Sequence, residues 1–139
     1  MTLRRISSDG PYEGLIGYSR AVVAGPWVLV AGCTATVDGE VVGVGDAHCQ
    51  TLVAFGIALT AVREAGLDVA DVVRTRMYVR DINRQADVGR AHQELFGQVR
   101  PAATMVEISG LVHPHLLVEV EVDAYRGTDQ APTGAEQRR

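Results

Sequence analysis

Hydrophobic and polar residues alternate along two segments of the chain, and a two-residue period is typical of β-strands with one buried face. The segments are Val72–Arg80 and Leu116–Tyr125. The residues predicted to share the buried face are Val73, Thr75, Met77 and Val79 in the first strand and Val118, Val120, Val122 and Ala124 in the second. The other face of each strand is polar, with Arg74, Arg76, Tyr78 and Arg80 in the first and Glu119, Glu121, Asp123 and Tyr125 in the second.

Two segments instead have the period of an amphipathic helix. In Asp46–Ala65, apolar residues recur at offsets of 3, 7 and 10 and form one stripe: Leu52, Phe55, Leu59 and Val62. Asp46 is placed to cap the helix, and Gly66 to end it. The second helix is predicted to begin at Asp81 or Asn83 and to run to about Phe96, with Gly97 ending it.

Shorter strands complete the order β-β-β-α-β-α-β-β. We expect an edge strand at Arg4–Ser7, a hairpin of Ser19–Ala24 and Trp27–Gly32 around Gly25-Pro26, a turn with a short strand in 37–45, and a strand at Thr104–Ile108. Two helices can cover only one face of such a sheet, so the pattern predicts an α+β fold with a mixed sheet. The uncovered face is either solvated, with cross-strand ion pairs, or covered by other subunits.

The chain has 139 residues, 47% hydrophobic and 22% charged, which is typical of one globular domain. We predict a single domain over residues 1–126 and a disordered polar tail over 127–139. No apolar run approaches the roughly 18 residues of a membrane span, and the N-terminus lacks the apolar core of a signal peptide. We therefore expect a cytoplasmic protein without a membrane partner.

The charged residues argue against a nucleic-acid partner. There are 13 cationic side chains against 17 acidic ones, for a net charge of −4, whereas nucleic-acid binders usually carry a basic excess. Every cation is arginine, which excludes Schiff-base lysine chemistry and a P-loop lysine. Cys33 and Cys49 are far apart and show no zinc-ligand spacing, so no metal site is expected.

Three segments of the chain resemble the Rid family of imine and enamine deaminases, also called the YjgF family. They are 17–22 (GYSRAV) followed by 27–32 (WVLVAG), 65–67 (AGL) followed by 71–83, and 100–108 (RPAATMVEI) followed by 118–121 (VEVE). The resemblance implies a chorismate-mutase-like fold and a homotrimer with a central barrel-like core and clefts between subunits. It also implies hydrolysis of 2-imino or 2-enamino acids to 2-keto acids and ammonia, without metal or cofactor.

The resemblance carries site residues over to single positions. The family's cleft tyrosine corresponds to Tyr18 and its water-positioning glutamate to Glu119, while Gly32 and Cys33 lie where the family has its cleft wall. Ala103 occupies the position of the arginine that clamps the substrate carboxylate. The same comparison places Met105 at a cleft cysteine and Gly89 at a helix asparagine. The scaffold is retained, but the clamp is absent.

Several of these residues have a second interpretation. Glu119 either orients water or forms an ion pair with a strand arginine, and Tyr18 either donates to a ligand or packs at a sheet end. Arg100 is a substitute clamp or a solvated loop residue, and Arg20 is a second candidate clamp.

Cys33 is interpreted as a buried inert thiol rather than a nucleophile, since no partner is placed near it by the sequence. The loop His113-Pro114-His115 offers two potential metal ligands without a nearby carboxylate, and we interpret it as a solvated loop.

Three functions remain open at this stage. The first is a small-molecule hydrolase of the Rid type acting on a C=N substrate, with ordinary 2-imino acid deamination not expected. The second is a non-catalytic trimer that binds a metabolite in the same clefts. The third, an endoribonuclease, is disfavoured by the acidic charge and the absence of lysine.

Overall fold

The computed structural model describes residues 3–127. The predicted disordered tail therefore lies, except for Gly127, outside the described residues. The strands are β1 (Leu3–Ile6), β2 (Ala21–Ala24), β3 (Trp27–Thr34), β4 (Thr36–Val37), β5 (Glu40–Val41), β6 (Val72–Val79), β7 (Ala102–Glu107) and β8 (Val118–Tyr125). The helices are α1 (Ala47–Glu64) and α2 (Gln85–Phe96), with a π-helical turn at Glu13–Gly17 and 3-10 turns at Val69–Asp71 and Ile82–Arg84.

Six strands form one mixed sheet in the order β1-β2-β3-β8-β6-β7, while β4 and β5 form a separate hairpin. All neighbours in the large sheet are antiparallel except β6 and β7, which are parallel. Parallel neighbours need a crossover connection, and α2 provides it. Both helices pack on the same side of the sheet, so the predicted α+β fold with a mixed sheet and two helices is confirmed.

The core lies between the helices and one face of the sheet. Val118, Val120 and Val122 are fully buried there with Phe55 of α1 and Phe96 of α2. The alternation predicted for β8 is therefore observed. We call the helix-covered side of the sheet the helix face and the other side the open face.

The predicted face of Val73 is wrong. Val72 is 3% exposed and Val73 is 41% exposed, because the pairing of β6 with β8 shifts by one residue between Val72 and Arg74. A β-bulge of this kind inserts an extra residue and reverses the alternation before it. From Thr75 onward the predicted alternation is observed.

The helix ends follow the predicted capping chemistry in part. The Asp46 carboxylate accepts a hydrogen bond from the Cys49 amide at 2.9 Å, and Gly66 follows α1 with φ of +88°. Asp81 caps the 3-10 turn rather than α2, accepting from the Asn83 amide at 3.0 Å. The α-helix therefore begins later than expected, at Gln85. Neither helix of residues 3–127 has the length and apolarity to cross a membrane.

The open face carries cross-strand polar pairs. Arg76 Nη1 lies 3.2 Å from Asp123 Oδ2, and the Tyr78 hydroxyl donates to Glu121 Oε1 at 2.5 Å. Beside these pairs, Trp27 and Leu29 of β3 leave more than two fifths of their surface exposed. The open face of a single chain thus combines intrachain polar pairs with exposed apolar side chains.

Candidate functional site

Glu119 lies on the open face, in β8, where it pairs with Thr34 of β3 and Tyr78 of β6. Its side chain is half-buried, and this burial raises the pKa of the carboxyl group. The nearby Glu121 carboxylate raises the pKa further, and the Arg20 guanidinium opposes both effects. No hydrogen bond among residues 3–127 ends on the Glu119 carboxylate, and Arg76 pairs with Asp123 instead. The acceptor oxygens of Glu119 are therefore not used by the described residues, and the alternative of an ion pair with Arg76 is not observed.

Space for the Glu119 side chain comes from Gly32. The pairing of β3 with β8 shifts between Val30 and Cys33, so a bulge brings Gly32 beside the carboxylate. A β-carbon on Gly32 would lie 2.0 Å from Glu119 Oε2, which no side chain tolerates without displacement. The absence of a side chain on Gly32 thus lets the carboxylate occupy this position, through close approach rather than through the glycine's backbone angles.

Tyr18 follows the π-helical turn, which ends in Gly17 at φ of +95°. The ring is 36% exposed, and the Arg20 guanidinium carbon lies 5.8 Å from its centre. Arg20 Nη1 donates to the Gly32 carbonyl at 2.8 Å. Arg20 therefore ties the tyrosine segment to the glycine beside Glu119. We call Tyr18, Gly32 and Glu119 the Glu119 half-site.

The turn before Tyr18 is held by a buried acid that the sequence did not single out. Glu13 is 8% exposed, and its Oε2 accepts from the Ser8 hydroxyl at 2.5 Å and from the Ser8 amide at 3.0 Å. Burial acts to raise the pKa of Glu13, but the hydrogen bonds from Ser8, Ser7 and Gly10 outweigh it, so the pKa is lowered. Glu13 also lines an open concavity of about 880 Å³ together with Tyr18 and Glu121.

Cys33 lies on the helix face, in the core, with 2% of its surface exposed. Burial raises the pKa of its thiol to about 11, although Arg20 Nη1, 3.3 Å from Sγ, favours the thiolate. The thiol is protonated at neutral pH and does not reach the open face. Its placement agrees with an inert buried thiol.

Ala103 and Met105 lie on β7, and their register with β6 places them on the helix face. Ala103 pairs with Thr75 and Met105 with Met77, and residues paired across two strands share a face. Met105 packs against the core. In one chain, the Ala103 position and Glu119 therefore lie on opposite sides of the sheet.

A histidine that the sequence analysis did not assign to a site contacts the strand partner of Ala103. His92 of α2 has its Nε2 2.8 Å from the hydroxyl oxygen of Thr75, the strand partner of Ala103. Burial lowers the pKa of His92. The only sequence signal was its position one helical turn after Gly89. We call Thr75, His92, Ala103 and Met105 the Ala103 half-site.

The other candidates lie in loops. Arg100 is exposed at the end of α2, with φ of +57°, and its amide donates to the Phe96 carbonyl at 2.8 Å. The loop of His113 and His115 is tied by Arg80, which donates to the carbonyls of His113 and Pro114. Within residues 3–127, no three His, Cys, Asp or Glu side chains are grouped to hold a metal ion.

The family described as endoribonuclease L-PSP has a sequence model that matches residues 12–126, which include both half-sites. The chain belongs to this family. The Rid/YjgF resemblance is thereby confirmed, since structures of YjgF-family proteins share the fold of this L-PSP family chain.

Two curated relatives cover most of the L-PSP family chain. An uncharacterized protein of Streptomyces coelicolor is 46% identical over 125 residues, which are 90% of this chain and 93% of the relative. The 3-aminoacrylate deaminase RutC of Acinetobacter baylyi is 30% identical over 116 residues, which are 83% of this chain and 91% of the relative.

Solved structures agree with the fold. Rv2704 of Mycobacterium tuberculosis, a member of the YjgF/YER057c/UK114 family, is 45% identical with a TM-score of 0.81, covering 89% of this chain and 99% of that one. Escherichia coli TdcF with bound serine is 22% identical with a TM-score of 0.74, covering 89% and 94%. At that identity the second similarity concerns the fold alone.

Proposed function

We propose that this protein is a small-molecule hydrolase of the Rid type, acting on an imine or enamine C=N group in clefts between the subunits of a homotrimer. The observation that carries the proposal is the Glu119 carboxylate, which is half-buried, has a raised pKa and accepts no hydrogen bond from residues 3–127. A carboxylate in this state can take a proton from water and return it, which is general acid–base catalysis.

The proposed reaction uses water and this carboxylate. Water adds to the imine carbon while Glu119 accepts one water proton and passes it to the imine nitrogen, which gives the neutral carbinolamine R₂C(OH)NH₂. Glu119 then accepts the hydroxyl proton and returns it to nitrogen as the C–N bond breaks, so that the sum is R₂C=NH + H₂O → R₂C=O + NH₃. An enamine enters the same sequence after it tautomerises to the imine, as its carbon gains one proton and its nitrogen loses one. We assign Tyr18, whose partly exposed side chain carries a hydroxyl donor, the role of donating to the ligand.

The separation of the two half-sites supports a cleft between subunits. The Ala103 half-site lies on the helix face at the β7 edge, and the Glu119 half-site lies on the open face. One chain cannot place both around one small molecule, whereas two neighbouring copies can. The exposed Trp27 and Leu29 of the open face are suited to burial in such an assembly.

The absence of an arginine at position 103 bears on the substrate. A bidentate guanidinium is the strong geometric way to hold a carboxylate, and alanine offers none. We infer that turnover of 2-imino acids is weak in this protein. The relative that is a 3-aminoacrylate deaminase supports the enamine class more directly.

The second candidate is a trimer that binds a metabolite without turning it over. The observation that favours it is again Ala103, because losing the clamp removes substrate orientation but keeps the cleft. A ribonuclease role receives no support from the charge, which is −4 with no lysine.

The test is ammonia release from enzymatically generated 3-aminoacrylate and 2-aminoacrylate, with the wild type beside Glu119→Gln and Asp123→Asn. Because both substrates carry a carboxylate and position 103 is alanine, we expect only weak wild-type acceleration, which Glu119→Gln abolishes and Asp123→Asn retains. Light scattering is expected to give about three times the chain mass of 14.9 kDa. A stable monomer would overturn the cleft between subunits, and an equally active Glu119→Gln protein would overturn the catalytic role of Glu119. A trimer inactive on both substrates would favour the binding function.

A further inference from the structure

His92 occupies an unusual position for a histidine without an assigned role. Its ring stands edge-on to Phe55 at 5.6 Å and lies 4.8 Å from Phe96, so apolar rings surround it on two sides. Its Nε2 contacts the hydroxyl of Thr75, which is fully buried. No residue in 3–127 bonds to Nδ1.

The free nitrogen reaches the protein surface. No side-chain nitrogen or oxygen of the described residues is both buried and without a partner. Since Nδ1 has no partner and His92 is only partly exposed, Nδ1 must be accessible. The ring therefore presents one nitrogen to Thr75 and the other to the exterior.

The buried hydroxyl of Thr75 determines which ring nitrogen of His92 carries the proton. His92 is the only hydrogen-bond partner of the Thr75 side chain among the described residues, so the hydroxyl proton has no other acceptor than Nε2. A buried unsatisfied donor costs free energy, which favours Thr75 as donor and Nε2 as acceptor. The neutral ring then carries its proton on Nδ1. If Nε2 were protonated, the Thr75 hydroxyl proton would have no acceptor. Burial also lowers the pKa of His92, which favours the neutral ring.

The exposed Nδ1–H group belongs to the Ala103 half-site. Thr75 is the strand partner of Ala103, and Ala103 is exposed on the β7 edge. Gly89, one turn before His92, also leaves open space, because a β-carbon at that position would meet no atom within 4 Å. Two small residues thus leave room next to the His92–Thr75 pair, one a helical turn from His92 and the other paired with Thr75. Phe55 and Phe96 border the ring, and Met105, two residues after Ala103, packs against the same core.

We propose that His92, held by Thr75, is the residue that binds the ligand in the Ala103 half-site, and that it selects an uncharged carbonyl oxygen, such as that of an amide or ester, over a carboxylate. This inference rests on the proposed function in one respect, that the Ala103 half-site opens onto the ligand cleft. A neutral N–H donates a hydrogen bond that suits an uncharged carbonyl oxygen. A carboxylate would lose its hydration for a single neutral donor, without a cation to compensate.

The charge of the protein acts in the same direction. Glu119 of a neighbouring copy would face the same cleft, and the chain carries a net charge of −4. An anionic ligand would meet both, whereas an amide or ester would not. The proposed substrate class is therefore an imine or enamine whose remaining carbonyl function is uncharged.

The test uses two probes of matched size, propionamide and propionate, titrated into full-length protein labelled with ¹⁵N-histidine. We expect propionamide to shift the His92 resonances and to bind at least about tenfold more tightly than propionate. The ¹⁵N shifts of the free protein are expected to show Nδ1 protonated and Nε2 bare. Equal or tighter binding of propionate, no shift of His92 with propionamide, or a proton on Nε2 would each overturn the proposal.

Variants separate binding by His92 from a structural role. His92→Phe keeps the aromatic packing and is expected to lose the amide preference, and Ala103→Arg is expected to reverse it. Glu40→Gln, an exposed carboxylate of the β4–β5 hairpin outside both half-sites, is the matched control and is expected to retain the preference. Retention by His92→Phe would overturn the proposal, while the tautomer measurement needs no variant to fold. If the protein prefers propionamide but turns over no substrate, the result would count against the proposed hydrolase function and not against the role of His92.

Discussion

The Glu119 carboxylate rests against the backbone of Gly32, where a β-carbon would lie 2.0 Å from Oε2 and 2.9 Å from Cδ. The proposed general base therefore occupies space that is available only because Gly32, on the neighbouring strand, has no side chain. The bulge between Val30 and Cys33 creates this contact.

Gly32→Ala is expected to displace the carboxylate while preserving the fold. The clashing atoms are the far end of a flexible side chain, so the glutamate rotates away and the melting temperature changes little. A displacement of about 1 Å costs up to about a hundredfold in rate. Ammonia release and thermal unfolding together measure this. Gly56→Ala, on α1 with open space around it, is the control and is expected to stabilise by about 0.5–1 kcal/mol. Full activity of Gly32→Ala would contradict the assigned contact.

Glu119→Gln is expected to change how stability depends on pH. Because the folded pKa of Glu119 is raised above 4.5, the folded state binds more protons than the unfolded state just above that value, and wild-type stability falls as pH rises through this window. Glutamine has no charge to desolvate, so the free energy of unfolding of the variant should increase relative to that of the wild type as pH rises from 4 toward neutrality. Denaturant unfolding at several pH values measures the difference. A variant that loses stability relative to the wild type across this range would show that the carboxylate is a structural partner.

Glu13→Gln is expected to destabilise the protein at neutral pH by about 1 kcal/mol, since hydrogen bonds to a charged carboxylate are replaced by weaker ones to a neutral amide oxygen. The folded pKa of Glu13 is lowered from 4.5, so its contribution is present above that pH and disappears as the pH falls through the folded value. The gap between wild type and variant should therefore close on acidification. The exposed Glu40→Gln is the control, with little change expected at any pH. A gap independent of pH would exclude the charge as its cause.

Cys33 is expected to resist thiol reagents in the folded protein. At pH 8 a thiol with a pKa of about 11 is almost entirely protonated, and only 2% of the residue is exposed. Cys49 is partly exposed and should be modified first. Mass spectrometry after a timed reaction should find one label per folded chain and two after unfolding. Modification of Cys33 at the rate of Cys49 would contradict its burial.

The two long alternating strands and both helices were predictable because their periods extend over eight residues or more. The bulge at Val73 was not, since Val72 and Val73 are identical in type and nothing local indicates which faces the core. The π-helical turn at Glu13–Gly17 has no hydrophobic period either.

The candidate site divides along similar lines. Glu119 and Gly32 were indicated by family motifs, but their contact depends on a register shift between β3 and β8. The His92–Thr75 pair joins a helix to a strand 17 residues away, and its meaning depends on Thr75 having no other acceptor. Such an exclusion is visible only once the tertiary packing is known.

The opposite placement of the two half-sites on the sheet has a consequence for hybrid assemblies. In the proposed trimer each cleft takes its Glu119 half-site from one subunit and its Ala103 half-site from the next. A Glu119→Gln chain and a chain damaged at His92 would each form only defective clefts alone. When the two are unfolded together and reassembled in equal amounts, about a quarter of the clefts would combine one sound half from each parent. Mixing two inactive variants would therefore restore activity in those clefts, which form between one chain of each kind.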